Sequence, residues 1–395
     1  MKTTEMQNGI DLKPLKIPAQ EVPHAVIETN YTCNRRCALC YNHNRDIVKS
    51  FDQIASEIRQ VLEKRNLETI SILGGEPTLH PLLPEVVSYV KSKNLVCQIL
   101  TNGLVLYKDS RNLLLDRLVE AGLDRIVVHI DCGQGLTEQE IDTMCEHLFT
   151  KFERRRLYFA ISVTLYPQNQ DAIPALMRRY ARFRYFDGVL VTLARDAQTS
   201  PAHPAIPMPD LSDVYACIAR GLSVEPSSYI PSNLDDKEVR WLMYFYYLNP
   251  HTGATFGVSP ALIRFFRRAY RLLMGKHLFA ATMKASLFKI WFSITAALEL
   301  LFRPSRIVEL VRLISGSSLL NQLRFHYIVL QSAPQVTQST GPVEICYHCP
   351  DATIRNGRLA PVCLADWISP PGKNGNGDGN NGALATAIYN HLEAA

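Results

Sequence analysis

From Ala25 to about Arg195, six short apolar runs alternate with amphipathic segments, and this alternation constrains the fold more than any other feature of the chain. Strands separated by helices give the βαβα pattern of a parallel sheet. The strands are expected at Ala25–Glu28, Thr69–Leu73, Val96–Leu100, Arg125–Ile130, Phe159–Thr164 and Gly188–Thr192. Helices are expected at Phe51–Asn66, Leu82–Lys93, Leu113–Ala121, Glu138–Lys151 and Ile173–Phe183. In the first of these, Phe51, Ile54, Ile58, Val61 and Leu62 fall near one face, and Gly122 follows the third where a C′ glycine belongs.

Polar, chemistry-bearing residues follow each strand. Cys33-x3-Cys37-x2-Cys40 comes after the first, Gly74-Gly75-Glu76-Pro77 after the second, and Thr101-Asn102-Gly103 after the third. Asp131-Cys132-Gly133 follows the fourth, Ser162 and Thr164 close the fifth, and Thr192 with Arg195 closes the sixth. In parallel β/α barrels ligands sit at the carboxyl ends of the strands, so these placements share a functional edge. Three thiolates on one short loop suit three irons of a [4Fe–4S] cluster and leave the fourth iron open. A Cys3His zinc site completed by His43 is the competing reading of the loop taken alone.

The cysteine spacing, followed 34 residues after Cys40 by Gly-Gly-Glu-Pro, resembles the radical S-adenosylmethionine (SAM) superfamily. The resemblance covers about Ala25 to Arg195 and implies a six-stranded partial (β/α)6 barrel. It implies that Cys33, Cys37 and Cys40 ligate the catalytic cluster and that Tyr41 packs near the adenine. Backbone carbonyls from Gly74 to Glu76, with Pro77 closing the turn, would receive the methionine ammonium, and Glu76 would assist electrostatically. Asp131 and Ser162 or Thr164 are candidates for the ribose hydroxyls, each also readable as a helix cap. Asn102 would border the site, and Arg195 would meet a carboxylate, a surface arginine being the plainer reading. The implied chemistry is reductive cleavage of SAM to methionine and a 5′-deoxyadenosyl radical that takes hydrogen from a substrate, with a flavodoxin- or ferredoxin-type electron donor.

A second cluster of cysteines reads Cys346-x2-Cys349-x13-Cys363, with Asn356-Gly357 supplying a hairpin turn that returns the third cysteine to the first two. A zinc knuckle with His348 or Asp366 is one reading. The spacing also resembles the auxiliary-cluster hairpin of SPASM/twitch radical SAM proteins and of the molybdenum-cofactor cyclisation enzyme, implying a second, auxiliary [4Fe–4S] cluster. Its fourth ligand is not evident; Cys132, Cys145 or Cys217 could supply it. The chain lacks the cyclisation enzyme's terminal Gly-Gly and carries a long insert, so that substrate is not transferred. Cys97 reads as a buried apolar residue, and Cys132 as a candidate hydrogen donor or ligand.

The 395 residues are 47% apolar and 20% charged, a globular balance. Met1 to Gln20 lacks the apolar core of a secretory signal, and six of the ten cysteines lie in the two clusters, which together predict a reducing cytoplasm. The expected organisation is an N-terminal extension (1–24), the barrel (25–196), a linker and basic apolar helical insert (197–335), the auxiliary hairpin (336–369) and a flexible tail (370–395). From Pro260 to Phe325 eleven cations face two acids, Glu299 and Glu309. The longest charge-free apolar run there, Ile290 to Leu298, is too short to span a bilayer. A subdomain packing its apolar stripe on the barrel is the plain reading; the interface of an anionic membrane and a lipid-like substrate form the sharper one, with nucleic acid not the expected partner. A SPASM-type enzyme acting on a ribosomal peptide or small metabolite is the alternative, and a non-catalytic metal-binding scaffold the third.

Overall fold

The computed structural model describes the chain outside residues 7–11, 38–39, 41, 43–45, 131–135, 194–208, 278–287, 316–322, 333–343 and 369–395. Two compact units emerge, one of Ile17–Ser162, Asp196–Pro204 and Pro334–Ala395, the other of Met1–Lys16, Val163–Arg195 and Ala205–Ala333.

The first, the cysteine unit, begins with β1 (His24–Glu28), α1 (Phe51–Lys64), β2 (Thr69–Leu73), α2 (Leu83–Ser92) and β3 (Val96–Thr101). It continues with α3 (Leu104–Lys108), α4 (Leu113–Glu120), β4 (Arg125–Ile130), α5 (Glu138–Arg154) and the start of β5 (Tyr158–Leu165). Pairing from β1 to β4 is parallel and in chain order. One face of the sheet is apolar up to Thr101 at the end of β3: Ile70, Ile72, Cys97, Ile99, Ile126 and Val128 are all buried. Cys97 is therefore core, as its position in the strand suggests. Caps stop the helices where the sequence can supply them. Ser50 and Thr137 each form a capping box with the residue three along, Gln53 and Glu140.

The division between the units falls within β5, and the second unit takes up α6 (Ala172–Tyr180), β6 (Phe186–Leu193) and α7 (Leu211–Leu222). The stretch read as linker and helical insert proves to hold four strands as well. These are β7 (Ser228–Pro231), β8 (Val239–Leu248), β9 (Thr255–Gly257) and, after α8 (Pro260–Met274), α9 (Phe288–Phe302) and α10 (Ile307–Ile314), β10 (Arg324–Gln331). β10 lies parallel to β6 and antiparallel to β8, which pairs antiparallel with β7 and β9. All ten residues of β8, Val-Arg-Trp-Leu-Met-Tyr-Phe-Tyr-Tyr-Leu, are buried. A strand covered on both faces has no alternation to read, which is why periodicity missed it.

Six strands, β1 to β6, thus alternate with helices in the order that a partial barrel requires. Beyond them the cysteine unit gains a C-terminal hairpin, β11 (Ala352–Arg355) and β12 (Arg358–Pro361), and a short helix α11 (Ala365–Ile368). Asn356 and Gly357 both have positive φ, 49° and 75°, the type I′ turn that this dipeptide favours.

Candidate metal and cofactor centre

The loop bearing Cys33, Cys37 and Cys40 is closed at its base as a pinched strand pair. Tyr31 N donates to Ile47 O at 2.7 Å and Lys49 N to Thr29 O at 3.0 Å, around an antiparallel bridge between Asn30 and Val48. All three cysteines are half-buried and outside any disulfide. Backbone staples the loop to the Gly-Gly-Glu-Pro turn: Gly75 N donates to Asn30 O at 2.7 Å and Glu76 N to Thr32 O at 2.9 Å. Glycine is required for this approach. A Cβ on Gly74 would stand 2.3 Å from Asn30 O, and one on Gly75 2.3 Å from Thr32 O. The two glycines therefore let the turn seat against the cysteine loop itself.

Glu76 is fully buried and holds the neighbouring strand end. Its carboxylate accepts from Thr78 N (3.0 Å), Thr78 Oγ1 (2.5 Å), Thr101 Oγ1 (2.6 Å) and Asn102 N (2.7 Å). Burial pushes the carboxyl up, against the opposing pull of these donors. Asn102, fixed through its backbone by Glu76, turns its side-chain amide to Asn34 Oδ1 at 2.7 Å and to Cys33 Sγ at 3.9 Å. Asn30, which sequence reasoning passed over, donates through Nδ2 to Thr32 O (2.8 Å) and Glu76 O (3.0 Å). Its only sequence signal is its place just ahead of the cysteines.

Ser162 Oγ lies 3.2 Å from His129 Nδ1, joining the ends of β4 and β5. Thr164, half-buried, belongs to the other unit; its backbone carbonyl accepts from Asn169 Nδ2 at 3.3 Å. Pro77 opens the 3-10 turn after Glu76. Tyr41, Asp131, Cys132 and Arg195, like His43, lie outside the described residues. A cleft of about 340 Å³ opens beside the loop, between Arg35, Leu104 and Tyr107 of α3, and Gln139, Glu140, Thr143 and Met144 of α5. Among the described residues, none of those expected to contact the cofactor lines it.

Two thiols of the second triplet are enclosed. Cys346 and Cys349 are buried and Cys363 half-buried. Cys346 hydrogen-bonds Cys349, and that bond, with burial and the nearby Cys363 and Asp351, pushes the Cys349 thiol well up. The three cysteines are thus brought together by the hairpin. Among the described residues no group of three or more His, Cys, Asp or Glu side chains is gathered closely enough to hold one metal ion. Three thiols in each triplet are the soft donor type that an iron–sulfur cluster takes.

Buried charge ties this hairpin to β1. Arg355 Nη1 meets Glu28 Oε2 at 2.6 Å and its Nη2 meets Asp366 Oδ1 at 3.2 Å, all three side chains under 7% exposed. The guanidinium also lies 5.3 Å from the ring centroid of Tyr31, at the base of the Cys33 loop, whose hydroxyl is pushed up chiefly by burial. Asp366, weighed above as a zinc ligand, is committed to Arg355. At the other end of β1, Arg65 donates to His24 O (2.8 Å), Cys349 O (2.9 Å) and Pro350 O (3.2 Å).

Residues 27–146 match the family model of the Radical SAM superfamily. A GTP 3′,8-cyclase of Chlorobaculum tepidum is 32% identical over 149 residues, spanning 36% of this chain and 40% of that protein. A probable GTP 3′,8-cyclase of Methanococcus maripaludis is 35% identical over 104 residues, 25% of this chain and 33% of that one. The chain therefore spans about a third to two fifths of the curated relatives it matches. Among solved structures, Streptococcus suis SuiB bound to S-adenosylmethionine aligns with a TM-score of 0.41 at 17% identity, covering 52% of this chain and 47% of that one.

Proposed function

With residues 27–146 identifying the chain as a radical SAM superfamily enzyme, we propose that it cleaves SAM reductively at Cys33, Cys37 and Cys40 and directs the radical to an apolar, lipid-like substrate. The observation that carries the first half is the backbone staple between Asn30–Thr32 and Gly75–Glu76, which brings a three-thiol loop and a glycine turn into one site. The donor set fits an iron–sulfur cluster with one iron left to a ligand. When bound, that cluster supplies the electron that breaks the C5′–S bond of SAM.

The chain's own residues hold and orient. Cys33, Cys37 and Cys40 ligate; Asn102 sets Cys33 through its amide; Glu76 fixes Asn102 and the strand end. Backbone at Gly74 to Glu76 receives the methionine ammonium, and Ser162 with His129 faces the ribose. Tyr41, Asp131 and Arg195 keep the roles that the family resemblance implies. Cys346, Cys349 and Cys363 hold an auxiliary [4Fe–4S] cluster, and a flavodoxin- or ferredoxin-type donor supplies the electron.

The substrate reading rests on the helical unit. Phe265, Leu272, Leu273 and Met274 of α8 and Val308 and Val311 of α10 are each at least half exposed, and Arg268 and Arg271 are exposed on α8. Both acids of this segment are engaged by one arginine: Arg306 meets Glu299 at 3.1 Å and Glu309 at 2.7 Å. Exposed apolar groups beside cations suit the surface of an anionic membrane. Among the described residues no helix is long and apolar enough to cross one. Incubation with SAM, a reductant and separated lipid and aqueous extract fractions tests both halves. 5′-Deoxyadenosine formation stimulated by the lipid fraction is the expected result. Stimulation by nucleotides alone would replace the lipid reading with one closer to the cyclase relatives.

A further inference from the structure

Arg65 occupies an unusual electrostatic position. The guanidinium is fully buried, and its three hydrogen bonds all go to neutral backbone carbonyls, those of His24, Cys349 and Pro350. Among the described residues no carboxylate pairs with it, and its Nε has no partner. The nearest carboxylate bearing on it, Asp351, is turned to His24 Nε2 at 3.5 Å. A buried cation without a counter-ion is costly unless an anion completes the site. Arg355 shows the contrast in charge: comparably enclosed, it is ion-paired with the carboxylates of Glu28 and Asp366. The bond to the Cys349 carbonyl at 2.9 Å places the guanidinium beside the triplet Cys346, Cys349 and Cys363.

We infer that Arg65 is the built-in counter-cation of an anionic thiolate-bound iron–sulfur centre at Cys346, Cys349 and Cys363, holding its charge and raising its reduction potential. The inference rests on the reading of the hairpin as an auxiliary cluster site. An arginine guanidinium carries its positive charge at neutral pH. Reduction adds a negative charge to the centre, and a fixed positive charge beside it favours the reduced form. Arg65 sits at the C-cap of α1, with its own backbone N–H bonded to Val61 O, so the charge is delivered by a rigid element. It is a positioning residue and touches no reacting atom.

The test uses the full-length chain carrying C33A/C37A/C40A, so that only the hairpin can hold iron after anaerobic reconstitution. Iron and sulfide content, electron paramagnetic resonance and a redox titration are read for that background and for added Arg65→Gln and Arg65→Lys. Arg65→Gln should move the midpoint to a more negative potential and speed iron loss to a chelator about tenfold, the size typical of outer-shell changes. Arg65→Lys, which keeps the charge, should hold the midpoint near that of the background. An unmoved midpoint in Arg65→Gln, with iron still bound, overturns the role of Arg65 and leaves the auxiliary cluster standing. An equal shift in Arg65→Lys overturns it as well, because geometry rather than charge would then be responsible. Absence of iron from the background protein removes the auxiliary cluster, and the counter-cation with it.

Discussion

The two cysteine triplets are presented by the chain in opposite ways. Cys33, Cys37 and Cys40 sit half-buried on a loop that is tied at its base and by backbone contacts with the glycine turn. Cys346 and Cys349 are buried on a hairpin that two enclosed arginines fasten to both ends of β1. Accessible thiols suit a centre that must admit a cofactor. Enclosed thiols beside fixed charge suit one whose charge and potential are set by the protein. The lesson is that ligand spacing names a metal, while the surroundings say what the metal is for.

The largest test of this contrast removes a ligand from each side. Cys33→Ala should abolish 5′-deoxyadenosine formation and leave the iron bound at the hairpin, whereas Cys349→Ala should remove hairpin iron and leave SAM cleavage measurable. Each outcome is read by product chromatography and iron counting. Residual cleavage in Cys33→Ala at the native rate would overturn the assignment of the loop as the catalytic site.

A second test concerns the fastening. Arg355→Met leaves Glu28 and Asp366 buried without their cation, and breaking such a pair costs about 3–5 kcal/mol. Loss of that size should undock the hairpin, seen as new proteolytic cleavage between β11 and α11 and a lowered melting temperature. Adding Glu28→Gln should recover part of the loss, because a neutral amide no longer needs the guanidinium. If the single and double variants melt together, Glu28 and Arg355 are not coupled.

Much of the cysteine unit was legible because its signals are local. Each strand ended in residues whose chemistry is carried by a short motif, and Asn356-Gly357 specified its own turn. What escaped reading had no local signature. Arg65 and the Cys349 carbonyl lie 284 residues apart, and nothing in the spacing of either announces the other. Asn30 looks like any polar residue until its amide is seen bridging Thr32 and Glu76. In the helical unit β8 escaped because burial on both faces erased its alternation. Glu76 was expected to act electrostatically on a ligand; its oxygens are occupied by Thr78, Thr101 and Asn102, so its visible work is to hold the site.

Chelation gives a subtler comparison, one of rate. With both sites filled, an iron chelator should strip the half-exposed loop before the enclosed hairpin, because access governs the first and local opening the second. Two kinetic phases are expected, and the fast one should carry the loss of SAM cleavage. Saturating SAM should slow the fast phase alone, since a ligand that binds only the filled loop protects it by mass action. A single phase, or protection of both, would place the two triplets in similar surroundings.

Asn102→Ala should have the smallest effect and separate the triplets most sharply. The side chain donates to Asn34 Oδ1, approaches Cys33 Sγ, and accepts from Leu104 N at the start of α3. Its loss should cost stability only about 1 kcal/mol, the net worth of one or two part-buried hydrogen bonds. Nothing in that set reaches the hairpin, so hairpin iron and its spectrum should not change. At the loop, the amide that orients Asn34 and Cys33 is gone, and the ligand nearest the glycine turn is held less firmly. Cleavage of SAM should slow several-fold, and the resonance spectrum of the loop cluster should broaden or shift on adding SAM while the melting temperature falls little. A slow enzyme with an unaltered loop spectrum would mean that Asn102 acts on bound SAM and not through Cys33, and the open loop would then owe its geometry to the backbone staple alone.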